Sequence, residues 1–171
     1  MDFIELSKSR YSVRSFSSKK VEEEKLKAIL EAGNAAPTAC NIQPQRIYVL
    51  NTEESIEKLK KVSKFVFGAS TVLIITSDDS AVWKNPFSDK YHTGDIDCSI
   101  VCTHIMMQAW ELGIGSCWIG YFDPDLVAKE FNLPQNERVI AILPIGYPAE
   151  DAKPSSWHFK RKPLEETVKY L

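Results

Sequence analysis

Two arginines four residues apart with a serine midway, in the stretch "SRYSVRSF" at residues 9–16, are the first residues able to do chemistry. If the stretch is extended, Arg10, Ser12 and Arg14 share one face and Tyr11 and Val13 the other. If it is helical, Arg10 and Arg14 still meet, because residues four apart are neighbours. Forked guanidinium donors match phosphate and carboxylate oxygens, and a serine hydroxyl between them adds a further donor, so an anion is the natural partner. Taken alone, the pattern fits a solvated pair of arginines equally well.

A second candidate is "NAAPTACNIQPQ", residues 34–45, where Pro37 stops the preceding helix. Its small residues leave backbone N–H and C=O groups unscreened, while Asn41 and Gln43 each donate and accept. That suits a flat heterocycle with donors and acceptors at its rim; a plain helix-to-strand connection fits too. The third candidate is "GIGSCWIGYF", 113–122, in which Gly120 lets backbone approach a ligand or simply marks a bulge. It lacks the strand, turn, helix order and glycine spacing of a dinucleotide fingerprint.

The 171 residues read as one domain, 1–171, with 44% hydrophobic and 26% charged residues. A net charge of -2 gives no general attraction to nucleic acid or acidic membranes, and Lys58, Lys60, Lys61 and Lys64 read as the wet side of a helix. No hydrophobic leader or spanning run is visible, so a cytoplasmic protein is expected. Cys40, Cys98, Cys102 and Cys117 are then expected as buried small hydrophobes. Cys98 and Cys102 are one helical turn apart, but His104 points away from them on a helix, so no metal site is expected.

Several elements must position these pieces. Short helices are expected at 2–8, at 22–33 with Leu26, Ile29 and Leu30 inward and Gly33 as the stop, and from about 53 with Ile56, Leu59 and Val62 inward. Strands are expected at 46–50, at 71–76 in a central position, at 116–122 and at 138–148. The longest helix runs from Asp95 to Leu112, closed by Gly113, and its broad apolar surface requires enclosure by the domain or by a partner subunit. Asp123 and Pro124 open a helix through Phe131. The aromatic-rich stretch 79–94, with Trp83, Phe87 and Tyr91, reads as a loop that either covers a site or packs on the surface. Mixed strands and helices without strict alternation give an α+β fold class.

Together, "RYSVRSF", "AAPTACNIQPQ", "ELGIGSCWIGYFD", "ILPIGYPAE" and "KRKPLEE", in this order and across nearly the whole chain, resemble the nitroreductase-like family of FMN-dependent oxidoreductases. The resemblance implies a mixed, mainly antiparallel sheet flanked by helices, in a homodimer with FMN at the subunit interface. It also implies hydride transfer from NAD(P)H through flavin N5 to nitroaromatic, quinone or related acceptors by a ping-pong mechanism, with no catalytic side chain. By the same resemblance Arg10, Tyr11, Ser12 and Arg14, joined by Lys160 and Arg161, hold the FMN phosphate and ribityl chain. Pro37, Thr38, Ala39 and Asn41 correspond to the segment one subunit lends to the flavin held mainly by the other. Ile119 and Gly120 correspond to the backbone beside flavin N5 and O4; the family usually has a cation near N1, for which Lys64 is the nearest candidate. The family often has Trp after Gln-Pro, where this chain has Gln45. Phe65, Trp83, Phe87 and Tyr91 are expected pocket walls. A reductive dehalogenase, a flavin-fragmenting enzyme and a non-catalytic FMN store or sensor are the alternatives.

Overall fold

The computed structural model describes residues 2–88 and 91–171. Four strands form one sheet in the order β1 (Gln45–Leu50), β2 (Thr71–Asp78), β4 (Glu137–Gly146), β3 (Gly115–Ser116). All three ladders are antiparallel, and a parallel bridge joins Ser12 to Ser116 beside β3.

β2 decides the layering. Its consecutive residues point to opposite faces, and Val72, Leu73, Ile74 and Ile75 are all fully buried, so both faces of the sheet must be covered. Val72 and Ile74 pack with Leu50, Ile56, Leu59, Val127 and Ile142 under α3 (Glu53–Lys60) and α5 (Pro124–Phe131). Leu73 and Ile75 pack with Ile29, Val101, Ile105 and Leu143 under α2 (Glu23–Asn34) and α4 (Gly94–Glu111). Burying each such side chain contributes roughly 1.5–3 kcal/mol, which makes these two layers the main stabilising mass.

Local signals set most boundaries. Asp2 and Glu5 cap each other reciprocally at the start of α1 (Phe3–Ser9), and Thr52 accepts from the Ser55 N–H at the start of α3. Asp123 caps α5 with Pro124 in the first turn, as its sequence requires. Three expectations are corrected. Gly33 does not stop α2, which continues to Asn34; a Cβ there would lie 2.7 Å from Ile105 Cγ1, so the glycine allows α2 and α4 to approach. Cys40 is exposed, while the other three thiols are buried.

The third correction concerns 116–122, where only Ser116 is in a strand, the two-residue β3 that it forms with Gly115. The chain stays in register, since Ile119 bridges Ile142, but the ladder breaks at Pro144. Cys117 donates its N–H to the Pro144 carbonyl, and proline has no N–H to return. Beyond Ile119 the chain leaves the sheet.

Tyr147, just past β4, ties this end of the sheet to two helices. Its hydroxyl accepts from Lys25 Nζ at 2.8 Å and donates to Glu22 Oε2 at 2.7 Å, while Lys25 also donates to the Leu112 carbonyl. The tyrosine hydrogen bond is the main reason the Glu22 carboxyl is held down from the usual 4.5 to about 2. The folded value lies below the unfolded one, so this contribution is full above pH 4.5 and is lost as pH falls toward 2. Tyr147→Phe is expected to flatten the acid limb of stability against pH, as measured by urea denaturation between pH 5 and 2.5. A second outcome follows from Gly115, where a Cβ would lie 2.5 Å from Val13 Cγ2 and 2.9 Å from its Cβ. Gly115→Ala is expected to cost about 1–3 kcal/mol, read as a lower urea midpoint at unchanged slope.

Candidate functional site

Arg10 ends α1, giving its N–H to the Leu6 carbonyl, and the chain continues extended. Backbone bonds pin this extension on two sides: the Val13 N–H to the Ser116 carbonyl at 2.9 Å and the Phe16 N–H to the Phe67 carbonyl at 3.1 Å. Val13 is fully buried, and alternation turns Ser12 and Arg14 the other way. Tyr11 packs against the core cluster that holds Val13, as alternation expects, and also reaches the cavity that its neighbours line. Its ring packs edge-on to Trp110 with centroids 5.1 Å apart.

That cavity, of about 220 Å³, is lined by Arg10, Tyr11, Ser12 and Arg14 from this segment, and by Ser155, Trp157, His158 and Arg161 from the tail. A turn of 3-10 helix at Ser156–Phe159, capped by Ser155, delivers Trp157 and His158 to it. Three guanidiniums therefore converge, and among the described residues none of them forms an ion pair. Burial first, and then the charge of Arg161, lower the pKa of Arg10. Burial pushes the Cys117 thiol up, against the opposing pull of Arg14, Ser12 and Arg10, which leaves it a poor nucleophile. Lys160 is exposed and does not line the cavity.

Gly120 borders a second cavity, of about 400 Å³, walled by Ser63, Lys64, Phe65 and Tyr121. Phe65 meets Tyr121 edge-on at 5.6 Å. The Ser63 hydroxyl is buried and has no hydrogen-bond partner among the described residues. A Cβ on Gly120 would meet nothing within 4 Å, so packing does not require glycine there. Ile119 is held against Ile142 and buried.

Pro37, Thr38, Ala39 and Asn41 lie elsewhere. Cys40, Asn41 and Gln43 all adopt left-handed backbone, and Thr38 Oγ1 accepts from the Gln43 N–H at 3.0 Å. Gln43 spends its side-chain amide on the Asn41 carbonyl. The segment is held by Asp97, which is only 2% exposed: Oδ1 accepts from the Ala39 N–H at 3.0 Å and Oδ2 from Thr93 Oγ1 at 2.7 Å. Asp97 is in the first turn of α4, whereas Trp110, which donates to Ser9 and packs on Tyr11, is in its last. At 1.5 Å per residue these ends are about 20 Å apart, so one chain does not bring Pro37–Asn41 to the arginines.

The loop at 79–94 is organised by a bridge between Lys84 and His92 and an edge-on contact of Trp83 with Tyr91. Phe87 is 94% exposed, and Asp89 and Lys90 lie outside the described residues. Of the expected pocket walls, Phe65 lines a cavity; Trp83, Phe87 and Tyr91 line none of the cavities described here. Asp97, Ser155, Trp157 and His158 were not among the expected site residues. The basic, aromatic run "SWHFKR" was the signal for the last two, while Asp97 reads in sequence as an ordinary acid at a helix start.

Comparison with known proteins agrees with this architecture. The profile described as the nitroreductase family matches residues 7–64 and 60–147. A Methanothermobacter thermautotrophicus protein with the provisional name NADH dehydrogenase/NAD(P)H nitroreductase is 30% identical over 157 residues, covering 88% of this chain and 80% of its own. Among solved structures, a nitroreductase family protein from Clostridium difficile superposes with a TM-score of 0.92 at 43% identity, covering 99% of this chain and 98% of its own. An FMN-dependent nitroreductase from the same species gives 0.75 at 27% identity, over 90% and 92%. With the family profile matched along most of its length and a relative 30% identical across 88% of it, the chain belongs to the nitroreductase family.

Proposed function

We propose that this chain is an FMN-dependent NAD(P)H oxidoreductase that works as a homodimer and reduces small planar acceptors such as nitroaromatics and quinones. The observation that carries this reading is the cavity of Arg10, Arg14 and Arg161, where three cations converge with no carboxylate among the lining residues. Such a set is held together by the fold against its own repulsion, and a phosphate dianion removes that cost. The donor set suits FMN. Arg10, Ser12, Arg14 and Arg161 would hold the phosphate, with Tyr11 walling the same cavity, and Ile119 and Gly120 would lie along the ring. Lys160 would contribute only charge from the rim.

When bound, the flavin ring supplies the redox chemistry, taking hydride from NAD(P)H and giving electrons to an acceptor. The chain's part is to bind, orient and stabilise charge. The Gly120 N–H makes no hydrogen bond among the described residues and is a free donor toward a ring acceptor. Lys64 and the unpartnered Ser63 hydroxyl, on the same cavity, would favour negative charge there. The aromatic wall of Phe65 and Tyr121 suits a flat guest, and the cavity is of the size that takes small ligands. Nicotinamide and acceptor would use it in turn, giving ping-pong kinetics.

Two observations support a second copy. The exposed side of α4 carries shallow apolar grooves of about 340 and 350 Å³ that include Ile96, Ile100 and Met107, and neighbouring α1 exposes Phe3 at 69% and Ile4 at 60%. Apolar surface of that extent marks an interface. In addition, Pro37, Thr38, Ala39 and Asn41 sit at the opposite end of α4 from the arginines, and a partner subunit would supply this segment to the flavin.

Purified protein reconstituted with FMN is expected to show the oxidised flavin band, and anaerobic NADH or NADPH to bleach it; a bound flavin that neither bleaches would leave a storage role instead. Arg14 is exposed and outside the core, so Arg14→Ala is expected to leave thermal stability nearly unchanged. Loss of one charge-assisted phosphate contact, about 1.5–3 kcal/mol, should weaken FMN binding about 10- to 150-fold in a flavin fluorescence titration. Unchanged affinity would remove Arg14 from the phosphate site.

A further inference from the structure

We propose that Asp97 is a positioning residue for the flavin: buried at the start of α4, its carboxylate sets the shape of the Pro37–Asn41 segment and so governs FMN affinity at the site whose arginines belong to the partner subunit. The inference rests on the reading above, in which FMN binds a homodimer and this segment is lent across the interface. It deepens that reading by naming the group that makes the lent segment fit.

The segment has few ties to the rest of the molecule. Among the described residues, only two hydrogen bonds join residues 37–43 to the chain outside them: the Ala39 N–H donates to Asp97 Oδ1 at 3.0 Å, and Arg46 donates to the Gln43 carbonyl at 3.2 Å. The other bonds are internal, from the Asn41 N–H to the Thr38 carbonyl, from the Ile42 N–H to the Ala39 carbonyl, and from Gln43 to Thr38 and Asn41. Cys40, Asn41 and Gln43 are left-handed although none is glycine, a backbone that persists only where its surroundings fix it. Residues 40–43 are exposed, so packing fixes little of it. The Asp97 carboxylate is the one buried group that does.

Asp97 is itself held firmly. Its neighbours Cys98 and Val101 on α4 are fully buried, and its second oxygen accepts from the Thr93 hydroxyl at 2.7 Å. Among the described residues no cation pairs with it. A buried carboxylate without a cation is costly to keep, and its place in the first turn of α4, where the helix dipole favours negative charge, offsets part of that cost. What the carboxylate supplies in exchange is a charge-assisted, directional bond to a main-chain N–H. The core therefore fixes α4, α4 fixes Asp97, and Asp97 fixes the left-handed turn. Without that acceptor the turn relaxes, and the segment no longer presents one shape to the flavin.

Asp97→Ala is expected to weaken FMN binding by the folded homodimer about 10- to 100-fold in a fluorescence titration; wild-type affinity overturns the proposal. Asp97→Asn keeps an acceptor for the Ala39 N–H and can donate to the Thr93 hydroxyl, which serves either way, so it should recover most of that loss. An Asn variant as weak as the Ala variant overturns it. A purely structural role is separated by pairing Asp97→Ala chains with Arg14→Ala chains in tandem-tagged heterodimers. One site then carries both defects and the other neither, so about one flavin per dimer should bind with wild-type affinity. If no site does, the segment serves its own chain and the proposal is overturned. Should the Ala variant not fold, wild-type protein supplies the measurement: by reciprocity, saturating FMN should slow amide exchange at Ala39, and unchanged exchange overturns the proposal. If FMN binds and Arg14→Ala weakens it while the Asp97 variants and Ala39 exchange show no effect, only this proposal fails. If wild-type protein does not bind FMN, the flavin reading fails and this proposal with it.

Discussion

Mutual repulsion among three guanidiniums is the constraint around which this molecule is arranged. Among the described residues Arg10, Arg14 and Arg161 line one cavity with no ion-pair partner, and backbone bonds fix the segment that carries the first two. The extended segment after α1 is anchored by backbone hydrogen bonds to Ser116 and Phe67, and by Val13, buried against Gly115. Those anchors rest in turn on the β3 and β4 pairing and the two-sided core. The core thus stabilises an electrostatic arrangement that would disperse in a flexible chain.

α4 has two functions in this scheme. Its inward side fills the layer beneath the sheet, while its two ends hold separate segments: Asp97 holds the Pro37–Asn41 segment, and Trp110 backs the ring of Tyr11. The outward side of α4 is mixed, with Ile96, Ile100 and Met107 set among Asp95, Ser99, Thr103, Gln108 and Glu111. Shallow grooves of about 340 and 350 Å³ run along that side.

Much of this was legible in the sequence, for reasons that can be named. α5 was bounded by Asp123 and Pro124, the central position of β2 by its continuous apolar run, and the shared face of Ser12 and Arg14 by simple alternation. What escaped depended on partners distant in the chain. Asp97 looks like a helix-start acid until Ala39 and Thr93 are seen to donate to it. Gly33 looks like a stop signal until Ile105 is found against it, and Cys40 looks like a core residue although the left-handed turn that carries it faces solvent. His158 sat within a run marked only as basic and aromatic. Tertiary contact, not local propensity, assigned each of these.

Pro144 has a consequence larger than its size. Any other residue at that position would carry an amide hydrogen aimed at the Cys117 carbonyl, and would tend to close the segment against β4 as an ordinary edge strand. Omitting that one atom leaves the pairing one hydrogen bond short between β3 and the Ile119–Ile142 bridge, with the Cys117 carbonyl receiving nothing from position 144. An imino acid in the interior of a sheet here marks where continuous pairing gives way to a single bridge, and where the chain departs after Ile119.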